Sequence, residues 1–200
     1  MCQLSGKYLI DNGKRIHFNI FFKDIEKESV VYLELDPRYM TNSAYHEYVN
    51  LFINILNNLK KTVYLNTTNK TKIYKPSNSN VIKNEGTVAL DLGSRITGLY
   101  FAINGKSEAI ETRNIIKYID SYNNVVFGRY SGGDTFMNCI YLLILNYLSI
   151  TKKKYDIVSE AYTTNISKRY NKYATKKQHD EIAAYLIYKR WLYKHQEKKI

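Results

Sequence analysis

The stretch Gly86–Ile103, GTVALDLGSRITGLYFAI, constrains the fold of this chain more than any other. Two short apolar runs, Val88–Leu90 and Leu99–Ile103, flank a polar interval that holds Asp91, Gly93, Ser94, Arg95 and the pair Thr97-Gly98. Apolar runs of this length around a glycine-bearing polar interval predict a strand, a tight turn and an antiparallel strand. The first strand ends in a single carboxylate, so the hairpin carries an acid at its crest.

The charge pattern narrows what that acid can serve. Residues 1–86 hold 12 basic and 8 acidic groups, 87–151 hold 5 of each, and 152–200 hold 13 and 5, so two-thirds of the net +12 lies in the last quarter. There Lys168, Arg169, Lys172, Lys176, Lys177, Lys189 and Arg190 interleave with Tyr162, Tyr170, Tyr173, Tyr185, Tyr188, Trp191 and Tyr193. Cations mixed with stackable rings suit a polyanion that has bases, and nucleic acid is the expected partner. The expected contacts are those seven cations with Tyr170, joined by Arg95 at the crest. The bland alternative is a solvated helix in a chain rich in Lys, Asn and Tyr. No apolar run of eighteen residues exists and the N-terminus lacks a signal-peptide pattern, which predicts an intracellular protein that does not span a membrane. Cys2 and Cys139 are too few and too distant for a metal cluster and read as free thiols.

Two hundred residues allow one domain or a small module followed by a compact domain. Residues 1–65 predict a β-β-β-α-β module: a hairpin of Lys7–Ile10 and Arg15–Phe22 around Asn12-Gly13, a strand over Ser29–Leu35, a helix over Tyr45–Leu59 with Ser43 as N-cap, and a strand over Lys61–Leu65. Residues 66–86 are polar and hold a proline, as a linker would. No internal repeat is evident.

Residues 87–200 predict an α/β domain in which function concentrates. After the opening hairpin come a strand over Ser107–Arg113, a short amphipathic segment around Ile115–Tyr122 and a strand over Val125–Tyr130. Thr135–Ile150 is apolar almost all round and must be a buried helix. Tyr155–Glu160 reads as a further strand. Strand, helix and strand in this order make a parallel crossover, which brings Glu160 to the same carboxyl edge of the sheet as Asp91. Thr175 with Gln178 forms a capping box, after which Lys176–Gln196 runs as a helix. Asp180 shares a face with Ala183, Ala184, Ile187 and Trp191, the stripe expected to meet the sheet. The helix dipole alone would favour an acid in the first turn. Three convergent carboxylates would instead suit Mg²⁺ or Mn²⁺, since such acids repel one another without a cation between them.

The segment VALDLGSRITGLYFAI resembles the first strand and hairpin of RuvC-type Holliday-junction resolvases, within the ribonuclease H-like superfamily. That family shows an apolar strand, Asp, any residue, Gly, and a Thr-Gly before the second strand; Asp91, Gly93, Thr97 and Gly98 occupy those positions. KKYDIVSEAY is similar to the family's strand that ends in a catalytic Glu, here Glu160. The family closes with acids on a late helix, and His179-Asp180-Glu181-Ile182-Ala183-Ala184 resembles that motif loosely, with Asp180 in the acid position and Glu181 or His179 as a fourth ligand. The resemblance implies a ribonuclease H-like mixed sheet flanked by helices. It also implies catalytic Asp91, Glu160 and Asp180, two-metal hydrolysis of branched or structured DNA, and a homodimer or a partner chain that completes the fold. The family places another strand and helix between its Glu and its last acids, whereas about twenty residues separate Glu160 from Asp180 here. The alternative is a non-catalytic nucleic-acid-binding or scaffold subunit with a truncated fold. Sugar kinases, actin and Hsp70-like ATPases also open with an Asp-x-Gly hairpin, but they need two such halves and a second phosphate loop.

Overall fold

The computed structural model describes residues 2–5, 8–11, 14–16, 18–67, 70–76, 84–130, 132, 134–159 and 175–197, with residues 2–20 and 197 described as backbone only. In chain order the elements begin with β1 (Cys2–Ser5), β2 (Tyr8–Asp11), β3 (Lys14–Ile16), α1 (Phe18–Asp24), β4 (Val30–Leu35), α2 (Ser43–Asn58), β5 (Thr62–Asn66) and β6 (Thr71–Tyr74). They continue with β7 (Asn84–Asp91), β8 (Ile96–Phe101), β9 (Lys106–Glu111), α3 (Ile115–Ser121), β10 (Tyr122–Arg129), α4 (Thr135–Ile150), β11 (Lys154–Ser159) and α5 (Lys176–Glu197). No helix among the described residues is long and apolar enough to cross a membrane. Two compact units result, Met1–Asn80 with Gly132–Thr151, and Val81–Ser131 with Lys152–Ile200.

The first unit holds a mixed sheet of order β3-β2-β1-β4-β5-β6. Strands β1, β4 and β5 are parallel, and β2, β3 and β6 add antiparallel pairings. One face of the sheet carries Val31, Leu33, Leu35, Val63 and Leu65, all buried, with α1, α2 and α4 supplying the rest of the core. Several expectations change here. Residues 18–22 form a helix and not the end of a strand, because Phe18, Phe21, Phe22 and Ile25 also fit the i, i+3, i+4, i+7 template, and the last three are buried. The N-cap of α2 is Asn42, one residue before Ser43; its side chain accepts from the Ala44 and Tyr45 N–H groups at 2.9 and 3.1 Å. The interval 66–86 is not all linker, since β6 pairs with β5 and β7 begins at Asn84.

The helix α4 also changes place. Its pattern demands burial without saying against what, and it lies in the first unit and not with the sheet of residues 87–200. It runs alongside α2: Phe136 meets Tyr45 and Tyr39 at ring distances of 5.7 and 5.3 Å, and the Asn58 amide donates to the Tyr147 hydroxyl near the far ends.

The second unit holds a five-stranded mixed sheet of order β11-β10-β7-β8-β9, flanked by helices. β7, β8 and β9 form an antiparallel meander, while β7, β10 and β11 are parallel. Val88, Leu90, Leu99, Val125 and Phe127 are buried, and on the α3 side the ring of Phe101 lies 5.9 Å from that of Tyr118. Ala89, Val126 and Val158 face the opposite way and cluster with Ile187 of α5.

The two halves of the chain repeat each other, which the sequence conceals. In each half a three-stranded meander is followed by a helix, a strand parallel to the first, a sixteen-residue helix and another parallel strand, with the same order of these strands, although both sixteen-residue helices belong to the first unit. The starts of β3 and β9, β4 and β10, α2 and α4, and β5 and β11 are each 92 residues apart. The caps repeat as well: Asn42 and Asp134 both accept from first-turn N–H groups, and Leu59 and Thr151 donate back to Ile55 and Tyr147. After these C-caps Lys60 and Lys152 take φ of 63° and 53°. A non-glycine residue is strained there. Lys60→Gly and Lys152→Gly should therefore each raise stability by roughly 0.5–1 kcal/mol in urea melts, even though both remove a lysine.

Candidate functional site

The β7–β8 hairpin is built so that only glycine fits at two of its positions. A Cβ on Gly93 would lie 2.1 Å from the Ile96 carbonyl oxygen, so the crest closes only without a side chain. Thr97 and Thr112 are fully buried. The Thr112 hydroxyl donates to the Gly93 carbonyl at 2.7 Å, which uses its one proton; Thr97 must then donate to Thr112 across 2.9 Å. The Thr112 N–H donates to the Arg95 carbonyl at 2.9 Å. These bonds fix the turn that follows Asp91. Nothing in the sequence singles out Thr112, because its partners lie fifteen and nineteen positions away.

Asp91 is half-buried at the carboxyl end of β7 and pairs across the ladder with Gly98. Directly opposed residues of an antiparallel pair share a face, and Ala89, two residues earlier, faces α5. A Cβ on Gly98 would lie 2.0 Å from the Asp180 carbonyl oxygen and 2.4 Å from its carbon. The start of α5 is therefore seated on the rung that holds Asp91. The helix begins with the expected capping box: the Gln178 N–H donates to the Thr175 hydroxyl at 3.3 Å and the Thr175 N–H to the Gln178 side chain at 2.8 Å. Ala183, Ala184 and Ile187 are buried along its sheet-facing stripe.

Burial pushes the Asp180 carboxyl above the ordinary aspartate range, against the pull of Lys176 and His179 and helped by Glu181. Beside it, Nδ1 of His179 is buried without a hydrogen-bond partner among the described residues. Oxygen donors with an orphaned imidazole nitrogen have the chemistry to hold a divalent cation. Among the described residues, however, no three of His, Cys, Asp and Glu gather closely enough for one ion. Glu160 lies outside the described residues, one position beyond the end of β11.

The expected nucleic-acid contacts divide. Lys168, Arg169, Tyr170 and Lys172 lie outside the described residues, as do Tyr162 and Tyr173. Arg95, Lys176 and Lys177 are exposed, at the crest and at the start of α5. Arg190 donates to the Ser159 carbonyl at 2.6 Å, holding the end of β11. Lys189 sits 5.7 Å from the Tyr185 ring centre, and its hydrogen bond to Tyr185 raises its pKa. The aromatic side chains of α5 are largely structural: Tyr185 and Tyr188 meet Tyr100 at 5.1 and 5.0 Å, Tyr188 meets Trp191 at 5.8 Å, and the Trp191 indole donates to Asp156 at 2.7 Å. Tyr193 is exposed. No protein-family model, curated protein or solved structure matches the chain.

Two outcomes check this geometry. Gly98→Ala should cost about 3 kcal/mol in chemical denaturation, since the obstacle is backbone and cannot rotate away. Asp180 has a raised folded-state pKa, so its contribution to stability is present below the unfolded value and lost as pH rises through the folded one. Asp180→Asn should melt at the same temperature as wild type well below pH 4 and at a higher one at pH 7 in metal-free buffer.

Proposed function

We propose that the chain is a metal-dependent endonuclease acting on branched or otherwise structured DNA, in the manner of RuvC-like, ribonuclease H-like enzymes. The observation that carries this reading is the seating of Asp180 of α5 on the Asp91–Gly98 rung. This reading is supported by the backbone of Asp180 meeting the rung of Asp91 at the carboxyl edge of the sheet, the edge at which β11, two strands from β7, also ends. The meander followed by parallel strands also accords with the mixed sheet that the resemblance implies.

Asp91, Glu160 and Asp180 would hold Mg²⁺ or Mn²⁺, with Glu181 or His179 at the margin. Ions held there would supply the activation of water and the stabilisation of the leaving oxygen in phosphodiester hydrolysis. The chain's own part is to position and to bind. The Thr97–Thr112–Gly93 bonds hold the crest, and Gly98 sets the height of Asp180. Arg95, Lys176 and Lys177, exposed near the same rung, would meet phosphates.

Two other readings compete. A scaffold subunit would keep the fold and bind DNA without cutting it. A two-lobed phosphate-binding ATPase has the repetition of the two halves of the chain in its favour, but the β1–β2 connection, Gly6-Lys7, carries no acid to match the crest of β7. Asp91→Asn should abolish Mg²⁺-dependent cleavage of a four-way junction while leaving junction affinity within about twofold, measured by gel shift in EDTA. Cleavage by neither wild type nor variant, with Mg²⁺ or Mn²⁺, would favour the scaffold. ATP hydrolysis lost in Asp91→Asn would favour the third reading.

A further inference from the structure

The sequence holds two Asn-Gly pairs, Asn12-Gly13 and Asn104-Gly105. The first lies outside the described residues, and the second closes the turn between β8 and β9. The β8–β9 ladder ends at the pair of Phe101 and Lys106, so residues 102–105 are the whole connection. Asn104 and Gly105 are both exposed. Gly105 takes φ of 69°, which glycine adopts without strain.

An asparagine followed by glycine sets an electrophile beside a nucleophile. Cγ of the side-chain amide can close a five-membered ring with the backbone nitrogen of the next residue, and glycine has no Cβ to shield that nitrogen. This reaction is one reason that asparagine is thermolabile. The bonds of the turn hold the two groups together. The Lys106 N–H donates to Oδ1 of Asn104 at 3.0 Å, which folds the side chain along the Gly105 peptide and draws electrons from Cγ. Among the described residues, the nearest atom that a Cβ on Gly105 would meet beyond its chain neighbours is the Tyr100 hydroxyl oxygen at 4.0 Å, so the approach is open. One bond opposes the attack: the Gly105 N–H donates to the Phe101 carbonyl at 2.9 Å and must be released first. Asn42, also exposed and followed by the small Ser43, differs on both counts. Its Oδ1 caps α2 by accepting from the Ala44 and Tyr45 N–H groups, and Ser43 carries a Cβ.

We propose that Asn104 is a site of self-modification, at which succinimide formation converts the asparagine to aspartate and isoaspartate. Base removes the Gly105 N–H proton, the nitrogen adds to Cγ of Asn104, and Nδ2 departs as ammonia. Water then opens the ring. Attack at Cγ gives aspartate; attack at the backbone carbonyl carbon gives isoaspartate, whose main chain runs through Cβ and Cγ. The sum is amide and water to carboxylic acid and ammonia. Either product places a carboxylate beside Lys106, and isoaspartate adds a carbon to the main chain of a connection that the Phe101–Lys106 pair closes. The modification therefore loosens the turn end of the β8–β9 hairpin, and it does not depend on the endonuclease reading.

The test is peptide mapping by mass spectrometry of the full chain held folded at 37 °C, with isoaspartate scored by a protein isoaspartate methyltransferase. The Asn104 peptide, read separately from that of Asn12, should gain the mass of an amide-to-acid exchange and split into two isomers. Conversion should run faster at pH 8.5 than at pH 6, and more slowly than in urea, where the Phe101 bond is gone. Gly105→Ala should slow it several-fold. Asn104→Gln, whose ring would have six members, should stay unmodified over the same period, and it remains informative if the alanine at positive φ fails to fold. If the folded chain keeps Asn104 intact while the urea sample converts, the turn protects the pair and the proposal is overturned. Aspartate formed without isoaspartate would show direct hydrolysis and overturn it as well.

Discussion

The close approach of α5 to β8 at Gly98 is the contact on which the second unit depends. Without a side chain on Gly98 the helix backbone rests directly on the sheet at Asp180. This lets the small residues Ala183 and Ala184 bury completely and brings Ile187 onto Ala89, Val126 and Val158. Burying an isoleucine of this kind contributes about 2 kcal/mol. Farther along, Arg190 holds the Ser159 carbonyl and Trp191 holds Asp156, so the helix is pinned to β11 as well. One glycine thus sets the height of the helix, the packing beneath it and the position of an acid whose burial is otherwise unfavourable.

The repetition of the two halves of the chain gives that contact its meaning. Both halves carry the same meander and the same parallel strands in the same order, and both contribute to the first unit a sixteen-residue helix capped by Asn or Asp and ended by a lysine at positive φ. They differ in the first hairpin and in what covers the outer face of the sheet. Four residues of ladder and a two-residue connection make the β1–β2 hairpin, whereas β7 and β8 are longer and close through Asp91 and Gly93. The second sheet has a helix over its outer face; among the described residues of the first, Tyr32 and Ile73 are exposed. One scaffold therefore carries a helix over its sheet in one copy and a stacked tyrosine pair on its sheet in the other.

The large side chains of α5 are used for packing more than their composition suggests. Tyr185, Tyr188 and Trp191 spend their ring faces on Tyr100, on one another and on Asp156, and Arg190 is committed to a backbone carbonyl. A helix that must cover a five-stranded sheet uses large rings to fill the space where the sheet twists away. Among the described residues the exposed aromatics are Tyr193 of α5, Tyr32 of β4 and Tyr155 of β11.

Local signals in the sequence determined most of the elements, because each is written within a turn or two of chain. The Asp91–Gly98 hairpin, the Thr175–Gln178 capping box, the stripe of Ala183, Ala184 and Ile187, and the apolar run of α4 all read directly from spacing and residue type. Spacing failed for residues 18–22, where one set of phenylalanines fits both a strand and a helix. The tertiary structure alone decided which surface an element meets. It placed α4 beside α2, gave Gly93 its hydroxyl partner in Thr112, and revealed a repeat that survives in caps, lengths and strand directions with few identical residues. A chain encodes burial and turn geometry position by position, but the identity of the partner across a core is settled only when the elements compete for the same surfaces.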